Sequence, residues 1–253
     1  MEEKNLIYQA NPFEQIISVL DYWDRLLSGY LLTLWMYAFA LLFGFILGLF
    51  LAIVKVYGGV IFSKFSIGYI EIIRGTPLVA QLFFVFYLPF ALDLNTDILV
   101  IRTTFYIFDR EIVLKLMDYP IFIGILTLSL NSGAYQAEYI RGAIVSVGKG
   151  QLEAARSIGM SRLSSIRHVV LPQAFRRMIP AWSNEAAYLP KYTVLVYFIG
   201  GVEELFFQAD YIQHRTFFPL VTYIVVAIMF LITISIISKL LDVTHKRTKI
   251  PGL

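Results

Sequence analysis

The chain has 253 residues, of which 58% are hydrophobic and only 15% are charged. Its longest stretch without an acidic or basic residue runs for 29 residues, from Leu26 to Val54, which excludes an ordinary soluble domain. The absence of cysteine excludes disulfide frameworks, thiolate metal sites and thiol nucleophiles. The net charge of +3 is too small to indicate a nucleic-acid partner.

The stretch from Leu26 to Val54 predicts the first transmembrane helix. A membrane helix needs about 20 apolar residues, whereas the apolar core of a signal peptide has about 7 to 15. Residues 1–25 are acidic and lack the basic segment and cleavage site of a secretory signal. We therefore expect a retained helix, preceded by an external amphipathic segment over 1–25. Gly44 and Gly48 predict close contact with another helix, within the subunit or across a dimer.

Four further uncharged stretches predict four more transmembrane helices. The last but one contains Pro180, Glu185, Pro190 and Lys191, which a span tolerates only where neighbouring helices or a cavity satisfy the freed polar groups. The predicted fold is all-α: a polytopic membrane protein with five spans in one domain, 26–240, and a tail, 241–253. The four stretches are Gly75–Leu92, Tyr119–Ala137, Met178–Val202 and Thr216–Ser238.

Lysine and arginine are distributed unequally between the two sets of alternating loops. One set, which includes the tail, holds 14 of these residues, and the other set holds 6. Because basic residues accumulate in cytoplasmic loops, we expect the C-terminus in the cytoplasm and the N-terminus outside. An acidic insertion, 93–118, and the segment 203–215 then face outward.

The largest cytoplasmic loop, 138–178, is too polar to cross a membrane and too apolar to be disordered. Within it, Gln151–Ile158 is predicted to form a short helix that stops at Gly159 in a left-handed conformation. Ser161 is predicted to cap a second helix, which ends before Pro172. Such a helix-turn-helix, projecting from the bundle, either docks to another protein or only caps the bundle.

Three sequence motifs resemble those of one transporter family. Residues 149–159 read KGQLEAARSIG and are followed, after nine residues, by VVLP at 169–172. This signature resembles the EAA loop of ABC importer permeases. Residues 69–84, YIEIIRGTPLVAQLFF, and residues 130–142, LNSGAYQAEYIRG, look like segments of the polar amino-acid branch of that family. The resemblance extends over about residues 26–240.

The resemblance implies a permease subunit that forms the translocation path of an ATP-driven importer for polar amino acids and switches by alternating access. In that family the EAA loop forms coupling helices that lie in a groove of a cytoplasmic ATPase. The resemblance therefore assigns ATPase coupling to Glu153, Ala154, Ala155 and Gly159. Glu153 also has a local explanation, since a carboxylate is favoured in the first turn of a helix and can pair with Arg156.

The same resemblance implies the partners of the chain. They are two cytoplasmic ATPase subunits, a second permease subunit that is identical or paralogous, and an external solute-binding protein. The ATPase would hold ATP and magnesium, so no cofactor or metal is expected on this chain, which has no phosphate-binding loop motif. The chain is expected to catalyse no reaction itself and to lie in the cytoplasmic membrane of a prokaryote.

Charged and amide side chains at membrane depth are the candidates for the substrate path, although amides also bridge helices. Glu185 and Lys191 either pair with each other or face a solute that carries an ammonium and a carboxylate. Where the family usually reads LLKD, then T or S, then SL, this chain reads YLPKYTVL at 188–195, so an aspartate is missing and a proline is added. The alternative function is a self-sufficient secondary transporter or channel, in which Glu185 and Lys191 form an ion-coupled site. The path candidates are Gln81, Asn131, Asn184, Glu185 and Lys191.

Overall fold

A computed structural model describes residues 11–248, so the first ten residues of the predicted N-terminal segment and the last five of the predicted tail lie outside the described residues. The described part contains ten α-helices and one pair of strands. In chain order the elements are α1 (Pro12–Leu20), α2 (Trp23–Tyr57), α3 (Gly59–Gly75), α4 (Leu78–Ala91), β1 (Ile101–Ile107), β2 (Arg110–Met117), α5 (Tyr119–Ser146), α6 (Lys149–Ser157), α7 (Arg162–Ser165), a π-helical turn (Ile166–Val170), α8 (Leu171–Tyr192), a 3₁₀ helix (Thr193–Ile199), α9 (Leu205–Thr216) and α10 (Pro219–Thr248).

The prediction of a helical membrane protein is confirmed. Among the described residues, however, fewer helices than the predicted five are long and apolar enough to cross a membrane. By length and composition, two helices of the described chain, α2 and α10, can cross a membrane. Helices α3 and α4 form a third span only if they are counted together, and the bend between them is 108°. The predicted second span, Gly75–Leu92, therefore corresponds to α4. The predicted third and fourth spans lie on α5 and α8, and the count of five spans stays a prediction.

Helix α5 is less apolar than α2 because it buries a row of polar side chains inside the protein. A membrane helix must be apolar only where it faces lipid, and polar side chains inside a bundle can bond to neighbouring helices. The buried polar residues of α5 are Thr127, Ser129, Asn131, Ser132 and Gln136.

The all-α prediction missed a β-hairpin in the acidic insertion, 93–118. Strands β1 and β2 are antiparallel, with Phe105 opposite Ile112. The chain reverses at Phe108 and Asp109, which both have positive φ, as in a tight hairpin turn. Because neither residue is glycine, the sequence lacks the Asn-Gly or Asp-Gly pair that usually identifies such a turn.

The helix that begins after Ser161 does not end before Pro172, so that part of the prediction was wrong. Helix α7 continues through the π-helical turn Ile166–Val170 directly into α8. The backbone N–H of Leu171 donates to the carbonyl of Ile166, one residue further back than in an α-helix. The wider turn accommodates Pro172, which has no N–H to donate and would interrupt an α-helical pattern.

The chain divides into two compact units, each with its own core. The described part of the first unit comprises residues up to Phe39, Val79–Thr127 and Pro190–Thr233. One core cluster of this unit consists of Val19, Leu26, Leu205, Ala209, Ile212 and Val226. The second unit comprises Ala40–Leu78, Leu128–Leu189 and the residues from Ile234 onward. Its core includes Ala52, Ile140, Ala143, Ile144, Val147, Val170, Ala174 and Met178.

Candidate functional site

The predicted coupling loop contains a short helix, a glycine corner and a capped second helix. Helix α6 covers Lys149–Ser157, close to the predicted Gln151–Ile158. Gly159 follows with φ of +91°, a conformation that strains any residue with a side chain. The hydroxyl of Ser161 accepts the backbone N–H of Ser164 at 3.2 Å and so caps α7. The local geometry of the corner therefore follows from its own residues.

Exposure separates the outer side of this loop from its inner side. Glu153 and Ala154 are exposed, whereas Ala155 is buried. Ile158 and Leu163, on either side of the glycine corner, are 80% and 76% exposed. Two large apolar side chains beside an exposed carboxylate form a surface that suits a protein partner. The sequence did not lead us to predict that Ile158 and Leu163 form part of such a surface, although an apolar residue on each side of the predicted glycine corner was a visible signal.

Arginine side chains attach this region to two long helices of the second unit. Arg162 Nη2 donates to the backbone oxygen of Tyr57, near the end of α2, at 3.3 Å. The guanidinium carbon of Arg162 also lies 5.8 Å from the centre of the Tyr57 ring. In α8, the guanidinium of Arg177 donates to the backbone oxygen of Ser146 at the end of α5. These contacts attach the loop to the ends of α2 and α5.

An ion network joins the same parts of α2 and α5. The ammonium of Lys55 lies 2.5 Å from Glu138 Oε1, and Arg141 Nε lies 2.9 Å from Glu138 Oε2. The side chains of Lys55 and Glu138 are each only 18% exposed. Removing one partner would leave a charge partly buried and unpaired, so the network holds the two helices together. The sequence placed these charged residues near the ends of two predicted spans but did not indicate that they pair.

Glu185 of α8 lies in a buried chain of hydrogen bonds. It is 4% exposed, and its Oε1 accepts the hydroxyl of Ser132 at 2.6 Å. The amide nitrogen of Gln136 donates to that hydroxyl at 2.9 Å, and the indole N–H of Trp182 donates to the amide oxygen of Gln136 at 2.6 Å. A carboxylate at this depth is costly and is retained where it has partners or a function. The sequence reasoning identified Glu185 but missed the other three residues.

The other predicted path residues are distributed between the two units. Asn131 is buried and Asn184 is exposed, and both belong to the second unit together with Glu185. Gln81, which is half-buried, and Lys191, which is exposed, belong to the first unit. A path formed by all five residues stays a prediction.

Solved structures with the same fold define the class of this protein. The chain matches a crystal structure of an amino acid ABC transporter with histidines at a TM-score of 0.75 and 32% identity, over 92% of this chain and 98% of that chain. It also has the fold of a chain of the methionine ABC transporter MetNI in an inward-facing conformation, with a TM-score of 0.68 and 17% identity. The fold is therefore that of an ABC importer permease.

Sequence comparisons give the family. Residues 44–249 match the model of the binding-protein-dependent transport system inner membrane component. The chain is 35% identical over 227 residues to the glutamine transport system permease protein GlnP of Escherichia coli strain K12, covering 89% of this chain and 93% of that protein. It is 32% identical over 240 residues to the nopaline permease NocM of Agrobacterium fabrum, covering 92% and 94%. The chain belongs to this family and is a permease subunit of an ATP-driven importer.

Proposed function

We propose that this permease imports polar amino acids and that its EAA loop couples it to an ATPase on separate chains. The observation that carries the coupling is the loop surface of Glu153, Ile158 and Leu163, exposed around a left-handed glycine and attached to α2 and α5. The substrate class is supported by the names of similar proteins, which include permeases for glutamine, nopaline and L-cystine.

The coupling mechanism follows from these attachments. ATP binding closes two cytoplasmic ATPase subunits, and the docked loops move with them. Arg162 and Arg177 pass the displacement to the ends of α2 and α5, which the Lys55–Glu138 ion pair holds together. The spans then switch between inward-open and outward-open states, and each state is favoured by the partner that binds it more tightly. This chain forms the translocation path and transmits the movement of the coupling loop, while the ATPase subunits hydrolyse ATP.

Glu185 is the proposed anchor of the substrate path. Its carboxylate can receive the ammonium group of an amino acid, because an opposite charge offsets the cost of burying it. Asn131, Asn184, Gln81 and Lys191 supply amide and ammonium groups for the remaining polar atoms of the solute. Tyr192 stands where the family usually has aspartate, so this chain offers one carboxylate fewer along the path.

The proposed assembly contains two ATPase subunits, a second permease that is identical or paralogous, and an external solute-binding protein. The distribution of lysine and arginine supports a cytoplasmic C-terminus and an external N-terminus in the cytoplasmic membrane of a prokaryote. The hairpin and α9 then face the external solute-binding protein, and α6 faces the ATPase.

The coupling proposal is tested with Glu153→Lys in the complex reconstituted in liposomes. We expect ATP hydrolysis to continue while ATP-driven solute uptake falls about tenfold or more, because a reversed charge weakens contact with the ATPase. Asp242→Lys is the matched control, since it makes the same charge change at an exposed position of α10. Wild-type uptake in Glu153→Lys would refute the coupling role. Uptake by the chain alone without ATP would instead support a secondary transporter.

A further inference from the structure

Two arginines of the first unit lie against one tyrosine. The guanidinium carbon of Arg25, in the first turn of α2, is 4.1 Å from the centre of the Tyr211 ring in α9. The guanidinium carbon of Arg215, one turn further along α9, is 5.3 Å from the same ring centre. Tyr22 contacts Tyr211 edge-on, with ring centres 6.4 Å apart. We call Arg25, Tyr211 and Arg215 the arginine–tyrosine site.

The arginines have no carboxylate partner in the described chain, where neither forms an ion pair within 4.0 Å. Asp210 is close in sequence, but it accepts hydrogen bonds from the hydroxyl of Tyr197 at 3.2 Å and the amide of Gln213 at 3.0 Å. Arg110 and Lys115 of the hairpin, by contrast, are both paired with aspartates. The arginine–tyrosine site therefore has positive charge without a partner among these residues.

The position of Arg25 argues against a purely structural role. The first turn of a helix carries partial positive charge, so a cation there is unfavourable. Arg215 does have a local explanation, because it lies in the last turn of α9, where a cation is favoured. A local explanation thus covers only one of the two arginines. Attraction to the Tyr211 ring holds both guanidinium groups in place but leaves their charge without a carboxylate partner among the described residues.

The geometry suits a carboxylate ligand. A guanidinium that stacks on an aromatic ring keeps its N–H groups free at the edge, where they can bind a carboxylate through two hydrogen bonds. An open surface groove along α9 is lined by Arg215, Phe207, Asp210, Tyr211 and His214. The neighbouring acidic insertion, 93–118, holds five carboxylates in the sequence. An incoming acidic side chain would be attracted to the two arginines.

We propose that the arginine–tyrosine site docks a carboxylate side chain of the external solute-binding protein. This inference rests on the proposed function, in which that protein delivers solute to the external face. Aromatic and arginine side chains are the residues that contribute most to binding at protein interfaces. The docked carboxylate would orient the binding protein over the permease before the solute is released.

The test titrates the assembled complex, in lipid nanodiscs, with its solute-loaded binding protein and measures stimulated ATP hydrolysis. We expect Arg25→Gln and Arg215→Gln each to raise the half-saturating concentration about tenfold, with an unchanged maximal rate. The shift should shrink at high salt, because salt screens exposed charges. Arg247→Gln is the matched control, since it removes an exposed arginine near the end of α10, which the proposed orientation places on the opposite, cytoplasmic face. Replacing the docked carboxylate residue of the binding protein by lysine should raise the half-saturating concentration for the wild-type complex. It should not change that concentration for the complex that carries both Arg25→Gln and Arg215→Gln.

The outcomes separate the two claims. An unchanged half-saturating concentration in the double variant would overturn the docking site and leave the proposed function intact. An absence of stimulation in the wild type would overturn the proposed function itself. If the variants instead change binding of free solute without the binding protein, the arginines serve the solute and the docking inference is wrong. Arg25→Lys and Arg215→Lys keep the charge and guard against misfolding, and we expect a smaller shift from each.

Discussion

At the level of single residues, Glu204 combines complete burial with a capping role. It is 0% exposed, and its carboxylate accepts the backbone N–H groups of Phe206 and Phe207 at 2.9 and 3.0 Å, at the start of α9. It lies between the predicted fourth and fifth spans. Burial raises the pKa of Glu204 to about 7, and the hydrogen bonds to the carboxylate offset this effect only in part.

This shift predicts a pH dependence of stability. The folded protein binds the Glu204 proton more tightly than the unfolded chain does, so the stabilisation is complete below pH about 4.5 and is lost as the pH rises towards about 7. We expect the thermal midpoint of the wild type to fall over this range more than that of Glu204→Gln. Glu203→Gln, at an exposed neighbouring position, should behave as wild type. Parallel curves for wild type and Glu204→Gln would disprove the assignment.

At the level of elements, helices α2 and α5 pack closely because α2 has glycines at the contact. A Cβ atom added at Gly48 would lie 3.0 Å from the backbone oxygen of Gly133 and 2.9 Å from Gln136 Cβ. At Gly44 it would lie 2.8 Å from the amide nitrogen of Gln136. The predicted close helix contact is therefore confirmed, and it is made within the subunit. This approach also brings Gln136 into the buried hydrogen-bond chain.

We expect replacement of glycine by alanine to have opposite effects on stability at two positions, because only one of them lies at this helix contact. Gly48→Ala should lower the free energy of unfolding by about 1–3 kcal/mol, because the new methyl group meets backbone atoms that cannot move aside. Gly68→Ala in α3 has no atom within 4 Å of the added Cβ and should raise stability by up to about 1 kcal/mol through helix propensity. Thermal unfolding of the purified variants in detergent measures both. Equal midpoints would contradict the packing argument.

The hairpin is a second element that depends on packing. Ile112 and Leu114 of β2 are buried, while Val113 between them is 49% exposed, as expected for alternating sides of a strand. The indole N–H of Trp35 donates to the backbone oxygen of Leu116 at 3.0 Å, and Arg110 pairs with Asp21 at 3.0 Å. These contacts fix the hairpin to α2 and to the turn before it.

At the level of the whole molecule, the proposed orientation can be tested on a chain that has no cysteine of its own. Thr104→Cys on β1 and Ser157→Cys on α6 place single thiols at exposed positions. If the positive-inside argument holds, a membrane-impermeant maleimide labels Thr104→Cys in intact cells and Ser157→Cys only after permeabilisation. Unaltered protein, which cannot be labelled, is the background control. The reverse pattern would invert the topology.

The features of this protein that could be predicted from the sequence are those that depend on residues close together in the chain. Long uncharged stretches, the distribution of basic residues and the EAA motif are local properties, and they were sufficient to predict a helical permease. The coupling role of residues 149–159 stays a prediction. Gly159 and Ser161 act through their own backbone, so their conformations were predicted as well. Two features were not predicted. The helix continues past Pro172 because a π-helical turn precedes the proline. The hairpin reverses at Phe108 and Asp109, and neither is the glycine that usually indicates such a turn.

The sequence by itself therefore indicated a helical membrane protein from its runs of hydrophobic residues, and its EAA motif predicted the class of protein and the place of the proposed coupling loop. Only the tertiary structure decided which polar residues meet. Glu185 with Ser132, Lys55 with Glu138, and Arg25 with Arg215 at one tyrosine are pairings between distant parts of the chain. Helix packing sets such pairings, since it alone determines which side chains share a buried or low-dielectric space.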